Sequence, residues 1–129
     1  MDASLRLPDS AAVIEAALEG LVLANLVLID TGLVPPFPHD AGVIYQIEPP
    51  GEEDWKLAHN VVHDGWGDCE DLAGWLAAGL RWTGDDPDAR VVLIRTGRNK
   101  LHAVVLRSDG SIDDPSLDLM PRKANAKCR

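Results

Sequence analysis

The sequence predicts an α+β fold: helices first, then a small antiparallel β-sheet against which a central helix packs. Three observations carry this. Apolar residues at helical spacing precede a polar TGDDPDA loop, two β-branched runs, VVLIR and LHAVVL, follow it, and short turn sequences separate and end those runs. With 129 residues, 46% of them apolar, the chain suits one domain, 1–129, with a genuine core.

The first element is a helix within residues 1–32. Asp9 and Ser10 offer caps, Ala and Leu dominate, and Thr31-Gly32 followed by Pro35-Pro36 ends it. Residues 21–29 are nearly unbroken apolar sequence, but Glu15, Glu19 and Asn25 interrupt the longer run 11–29. No basic n-region precedes it and no convincing cleavage site follows, so a soluble helix is expected rather than a membrane span or export signal. Its second half is apolar nearly all round, which fits either the buried centre of the fold or an oligomer contact; the sequence leaves both open.

A proline-rich connection, LVPPFPHDAG, leads to VIYQI, a short strand, and EPPGEED leads to a helix over 54–64 that Gly65 stops. The next helix follows at once. Asp68 is its N-cap, Asp71 completes a capping-box-like pair, and Leu72, Leu76 and Leu80 share one face with Cys69 at its N-terminal rim. Glu70 is expected on the exposed side. TGRNK joins the two strands, and SDG turns the second into SIDDP. Of the four tryptophans, Trp55, Trp66, Trp75 and Trp82, most are expected in the core, with Trp66 beside the cysteine available to line a cleft.

Composition narrows the function classes. A net charge of −9 repels a phosphate backbone, and the basic residues cluster only in the tail 120–129, at Arg122, Lys123, Lys127 and Arg129, so nucleic acid is not an expected partner. Two cysteines, Cys69 and Cys128, are too few for a disulfide scaffold, and a free Cys69 fits a reducing, cytoplasmic setting.

Cys69 is the residue with chemistry to explain. Unpaired N–H groups and the dipole at a helix start favour thiolate over thiol, from a reference pKa of about 8.5. Asp68, Glu70 and Asp71 oppose that, so a reactive Cys69 needs a cation, and imidazolium is the usual one. His39 lies in the proline-rich loop and reads as a surface residue. His59 and His63, four apart, would make a three-ligand metal set with Cys69, but no glutamate stands between them and no fourth ligand is evident, so no metal is assigned.

His102 is placed differently, because its strand turns back toward Asp113 and Asp114. A two-residue Asp109-Gly110 turn would set Leu106 opposite Asp113 and leave both acids away from His102. A three-residue Ser108-Asp109-Gly110 loop with Gly110 left-handed sets Val104 opposite Asp114, which puts Asp114 on His102's side of the sheet, diagonal to it. A longer loop would bring the two directly opposite, so a Cys69, His102, Asp114 site depends on a turn wider than the simplest Asp-Gly one. Taken singly, each residue also has an ordinary reading: a small buried cysteine, a core or edge histidine, a turn of acids before proline.

GDCEDLA, then HAVV, then IDDPS, in that order over 65–116, resembles the transglutaminase-like branch of the papain-type cysteine enzymes. The resemblance implies a papain/transglutaminase-like core with Cys69 as nucleophile, His102 as general base and acid, and Asp114 as the carboxylate that orients it. Val104 stands where an aromatic often follows the His-Ala pair, and Ser116 replaces a threonine. The implied chemistry is cofactor-free acyl transfer on a peptide or protein amide, hydrolysis favoured over crosslinking, with the Cys69 N–H and either Gln46 or the Trp66 indole as oxyanion donors. Compact proteins with a GWGDCEDLA run are also similar to some encoded by bacteriophages, which implies a rival: a non-catalytic assembly module, virion-associated, self-associating through the apolar first helix.

Overall fold

The computed structural model describes residues 9–48, 54–97 and 100–121. Cys128 and the basic residues Arg122, Lys123, Lys127 and Arg129 lie outside the described residues. The elements run α1 (Asp9–Asp30), a 3-10 turn (Pro38–Ala41), β1 (Ile44–Tyr45), α2 (Ala58–Asp64), β2 (Trp66–Gly67), α3 (Cys69–Thr83), β3 (Arg90–Gly97), β4 (Lys100–Leu106), β5 (Ile112–Asp113) and α4 (Pro115–Asp118). The fold is mixed α and β with a small antiparallel sheet, as the sequence predicts. It carries a fourth helix, α4, and a two-residue strand, β2, that the sequence reading does not contain.

The sheet has the order β3-β4-β5, and Val91, Leu93, Ala103 and Val105 turn one face of it toward the helices. There α3 packs on β4 and β3, and α1 packs on both α3 and β3. Ala11, Leu18, Val22, Asn25 and Ile29 recur at helical spacing and form the buried stripe of α1, while Val13, Leu23 and Val27 face out at 69%, 52% and 61% exposure. By length and composition α1 could cross a membrane. Its polar residues are nonetheless committed inside the fold. Glu15 accepts from the Leu93 N–H at 2.7 Å, Glu19 takes a two-pronged hydrogen bond from Arg81 at 2.7 Å on each oxygen, and Asn25 accepts from the Ala58 N–H at 2.8 Å.

That last bond corrects the predicted helix over 54–64. Leu57, the N-cap of α2, offers no side-chain cap, so the helix begins at Ala58, where Asn25 reaches across from α1 to satisfy the first free amide. The tryptophan expectation also changes. Trp75 alone is fully buried, its indole donating to the Pro35 carbonyl at 2.9 Å, whereas Trp55 and Trp82 are 38% and 48% exposed. Beside Trp75 the proline-rich connection comes so near α3 that a Cβ on Gly79 would sit 2.0 Å from the Pro36 carbonyl oxygen. Only glycine admits that approach.

Candidate active site

Three chain segments meet at the N-terminus of α3. Asp68 caps the helix by accepting from the Asp71 N–H, while the Asp71 side chain accepts from the Asp68 N–H at 3.1 Å, so the predicted capping box is present. Asp71 also accepts from the Lys56 N–H at 2.7 Å, which anchors the segment before α2 to the same turn. Cys69 follows Asp68 as the first helical residue and is half-buried.

The second segment is the β4–β5 hairpin. Val105 pairs with Asp113 and Leu106 with Ile112, and Gly110 has φ 91°, so the turn is the wider, three-residue one. Carried one step further, that register sets Asp114 diagonal to His102 on the same side of the sheet. The two side chains meet: His102 Nε2 lies 2.9 Å from Asp114 Oδ2. The other oxygen of Asp114 accepts from the Ser116 and Leu117 N–H groups as the N-cap of α4, which fixes the carboxylate on both sides. Facing a carboxylate, which accepts, Nε2 is the nitrogen that donates. The ladder with β5 ends at Val105, and next along β4 the Ala103 N–H, one residue from His102, is aimed at the Cys69 sulfur.

The thiol itself departs from expectation. Its proton is directed not at His102 but at Glu70 Oε1, 3.2 Å away. Glu70, expected on the exposed side, is half-buried and turned back on the sulfur. Burial first, then the Glu70 charge, push the Cys69 pKa up, and the Ala103 N–H only partly offsets them. Both effects disfavour the thiolate, against the pull of the helix start. The dipole of a helix end is a fraction of a charge, and burial together with the negative charge of Glu70 opposes it. Burial, reinforced by Asp68, raises Glu70 to about 7, and the same two causes raise Asp71 to about 7. Glu48 is raised as well, again through burial and Asp68.

A third segment adds a residue with no sequence signal. β1 pairs in parallel with β2, Ile44 opposite Trp66 and Tyr45 opposite Gly67, which brings the strand alongside the turn that precedes Cys69. The Tyr45 phenol is pushed up, by burial first and then by the negative field of Asp68, Asp114 and Glu70. Gln46 is exposed and lines an open apolar cavity of about 430 Å³ with Ile44, Tyr45, Ile47, Met120 and Pro121. Trp66 is half-buried, with the Lys56 ammonium 3.1 Å from its ring centroid. Neither Gln46 nor Trp66 makes a side-chain hydrogen bond to Cys69 among the described residues. His63 turns to Asp64 at 3.1 Å, and no three His, Cys, Asp or Glu side chains converge as metal ligands among the described residues.

Of the predicted residues, then, His102 and Asp114 are in direct contact, and Cys69 lies beside the backbone of the next residue along β4. The arrangement sets a carboxylate-oriented imidazole on the strand whose Ala103 N–H meets the sulfur, with the Cys69 N–H at the helix start free of an intrahelical acceptor. No family profile, no curated protein and no solved structure matches this chain at a significant level.

Proposed function

We propose that the protein is a cysteine-dependent acyl-transfer enzyme acting on peptide or isopeptide amides, built on a reduced transglutaminase-like core, with hydrolysis as its outcome. The observation that supports it most directly is the 2.9 Å bond between His102 and Asp114 beside a helix-start thiol, in a hairpin register that only the wider turn provides. Because Glu70 accepts from the Cys69 thiol and burial disfavours its ionisation, His102 acts in this scheme as a general base rather than as the cation of a preformed pair. Nδ1 takes the Sγ proton as sulfur attacks the amide carbonyl carbon. The C–N bond then breaks, the imidazolium returns the proton to the leaving amine, and a thioester remains on Cys69. Water, deprotonated by the same nitrogen, releases the acid and restores the thiol. Asp114 holds the tautomer and stabilises the charged ring, and the Cys69 N–H meets the developing oxyanion.

Acylation by p-nitrophenyl acetate, read as an adduct on Cys69 by intact and peptide mass spectrometry, tests this reading. His102→Ala is expected to slow it by roughly 10²-fold or more, the usual contribution of a general base. Asp114→Ala should fall between the two. Equal acylation rates with and without His102, or no adduct on Cys69 at all, would overturn the assignment.

A second reading has one observation in its favour. Val13, Ala16, Ala17, Gly20, Leu23 and Val27 form an exposed apolar stripe along α1, of the kind an assembly module would use to self-associate or to join a larger particle. On this reading the wild-type chain sediments as a dimer or larger, and Leu23→Glu returns it to a monomer. A wild-type monomer at the highest attainable concentration removes it.

A further inference from the structure

The His102–Asp114 contact hangs on a turn that the local sequence does not impose. Asp-Gly between two strands is the strongest short signal for a two-residue hairpin loop, here Asp109-Gly110. That narrow turn would pair Ser108 with Ser111 and set Asp114 opposite Val105 instead of Val104. Side chains alternate along a strand, so the one-residue slip would carry Asp114 to the face away from His102. The chain nonetheless adopts the wider turn, with Val105 opposite Asp113.

A two-residue loop is closed by a pair of hydrogen bonds between its flanking residues, here from the N–H of Ser108 and of Ser111 to each other's carbonyl. Both donors are engaged elsewhere. The Ser108 N–H donates to Asp86 Oδ2 at 2.9 Å and its hydroxyl to Asp86 Oδ1 at 2.7 Å, while the Ser111 N–H donates to Asp109 Oδ1 at 2.9 Å. The Ser111 carbonyl accepts instead from the Arg107 N–H at 2.8 Å, and the Gly110 N–H closes the loop on the Arg107 carbonyl at 2.9 Å. Asp109 is an exposed neighbour within the turn, whereas Asp86 is buried and 22 residues away in sequence. Its place is set by α3. Just past the Gly84 cap, the Asp86 N–H donates to the Leu80 carbonyl at 3.1 Å, and the Asp86 carbonyl accepts from the Ala89 N–H at 3.2 Å. The helix that begins at Cys69 thus ends in the loop that grips the hairpin turn.

We infer that Asp86 is a positioning residue for the His102–Asp114 pair: by taking both donors of Ser108 it holds the β4–β5 turn at three residues and so sets Asp114 on the face of His102. The bond from Arg107 Nε to Asp113 Oδ2, 2.6 Å, belongs to the same register, because the narrow turn would put those two residues on opposite faces. What the pair does rests on the acyl-transfer reading; the register does not.

Asp86→Ala tests the assignment, beside the double variant Asp86→Ala/Ser108→Pro. Proline has no N–H for the narrow turn to use, and its fixed φ suits the second position of the type I turn that a three-residue loop contains, so it should restore the wider turn without Asp86. Cross-strand Hα–Hα contacts by NMR report the register, Leu106 with Ile112 for the wider turn and Arg107 with Ile112 for the narrow one. Acylation of Cys69 by p-nitrophenyl acetate reports the consequence. Asp86→Ala is expected to show the Arg107–Ile112 contact and to slow acylation as far as Asp114→Ala does, with no further loss when those two are combined. The double variant with proline should regain the Leu106–Ile112 contact and the wild-type rate. An Asp86→Ala protein that keeps the Leu106–Ile112 contact overturns the assignment. If Asp86→Ala does not fold, the double variant decides: folded with the wider turn it supports the assignment, and unfolded it shows that Asp86 serves the fold at large and the assignment falls. Acylation that is indifferent to Asp114→Ala would sink the acyl-transfer reading instead, and the NMR contacts would still settle the role of Asp86.

Discussion

Glu70 shows how one rotamer sets the chemistry of its neighbour. As a surface residue of α3 it would leave Cys69 to the helix dipole; turned inward, it accepts the thiol proton and raises the cost of losing it. Glu70→Gln removes the charge and leaves an amide of the same shape. Alkylation of Cys69 by iodoacetamide at pH 8 is therefore expected to accelerate, by roughly tenfold if the thiolate fraction rises in proportion. An unchanged or slower rate would show that burial alone, not the carboxylate, suppresses the thiolate. Residue types, order and turn length made the His102–Asp114 contact legible in the sequence. The direction of Glu70 was not, because a glutamate after an N-cap is ordinary helix chemistry, and its inward turn depends on the β3–β4 hairpin that walls it in. Tyr45 was illegible for a related reason. It reaches the site only through a two-residue parallel pairing with Trp66-Gly67, too short to leave any periodicity.

Elements were readable where local chemistry decides them. The Asp68–Asp71 capping box and the end of α1 before Thr31-Gly32 both follow from side chains within a few residues of the feature. The start of α2, fixed by Asn25 from another helix, and the single turn of α4, capped by Asp114, depend on partners distant in sequence or on a site residue with a second task. The glycines of α3 give a test at this scale. At Gly79 a Cβ would meet backbone, 2.0 Å from the Pro36 oxygen, whereas at Gly74 it would meet the tip of Leu21 at 2.8 Å, which can rotate away. Gly79→Ala is expected to cost about 3 kcal/mol or more. Gly74→Ala should cost less than about 1.5 kcal/mol, because alanine's helix propensity offsets part of the crowding. Urea unfolding of the two variants decides this, and equal midpoints would mean that the proline-rich connection yields freely.

At the scale of the whole molecule, the carboxyls divide into two groups with opposite effects on stability. Glu19 is held below its usual 4.5 by its hydrogen bonds to Arg81, and Asp86 below 3.8 by Ser108, so both stabilise the fold above those values and lose that contribution as the pH falls below them. Glu70 and Asp71 are raised to about 7 from 4.5 and 3.8. The folded chain then binds more protons than the unfolded one between those limits, so stability declines as pH rises from about 4 toward 7 and levels off above. Thermal stability is expected to be greatest near pH 5 and lower at pH 8. Glu70→Gln should raise Tm at pH 8 and leave it nearly unchanged at pH 5. A Tm that climbs from pH 5 to pH 8 would contradict the burial of these two acids.

The capping box has a consequence for how this chain can change. Asp68 and Asp71 hold the first turn of α3, and an N-cap of this kind is worth about 1 kcal/mol. Asp68 also adds to the negative field that keeps the adjacent sulfur protonated. Rigidity and nucleophilicity are thus drawn from the same few atoms and pull in opposite directions. Loss of the Asp68 carboxylate should therefore free the sulfur and lower the melting temperature together, so this cap resists change from either direction.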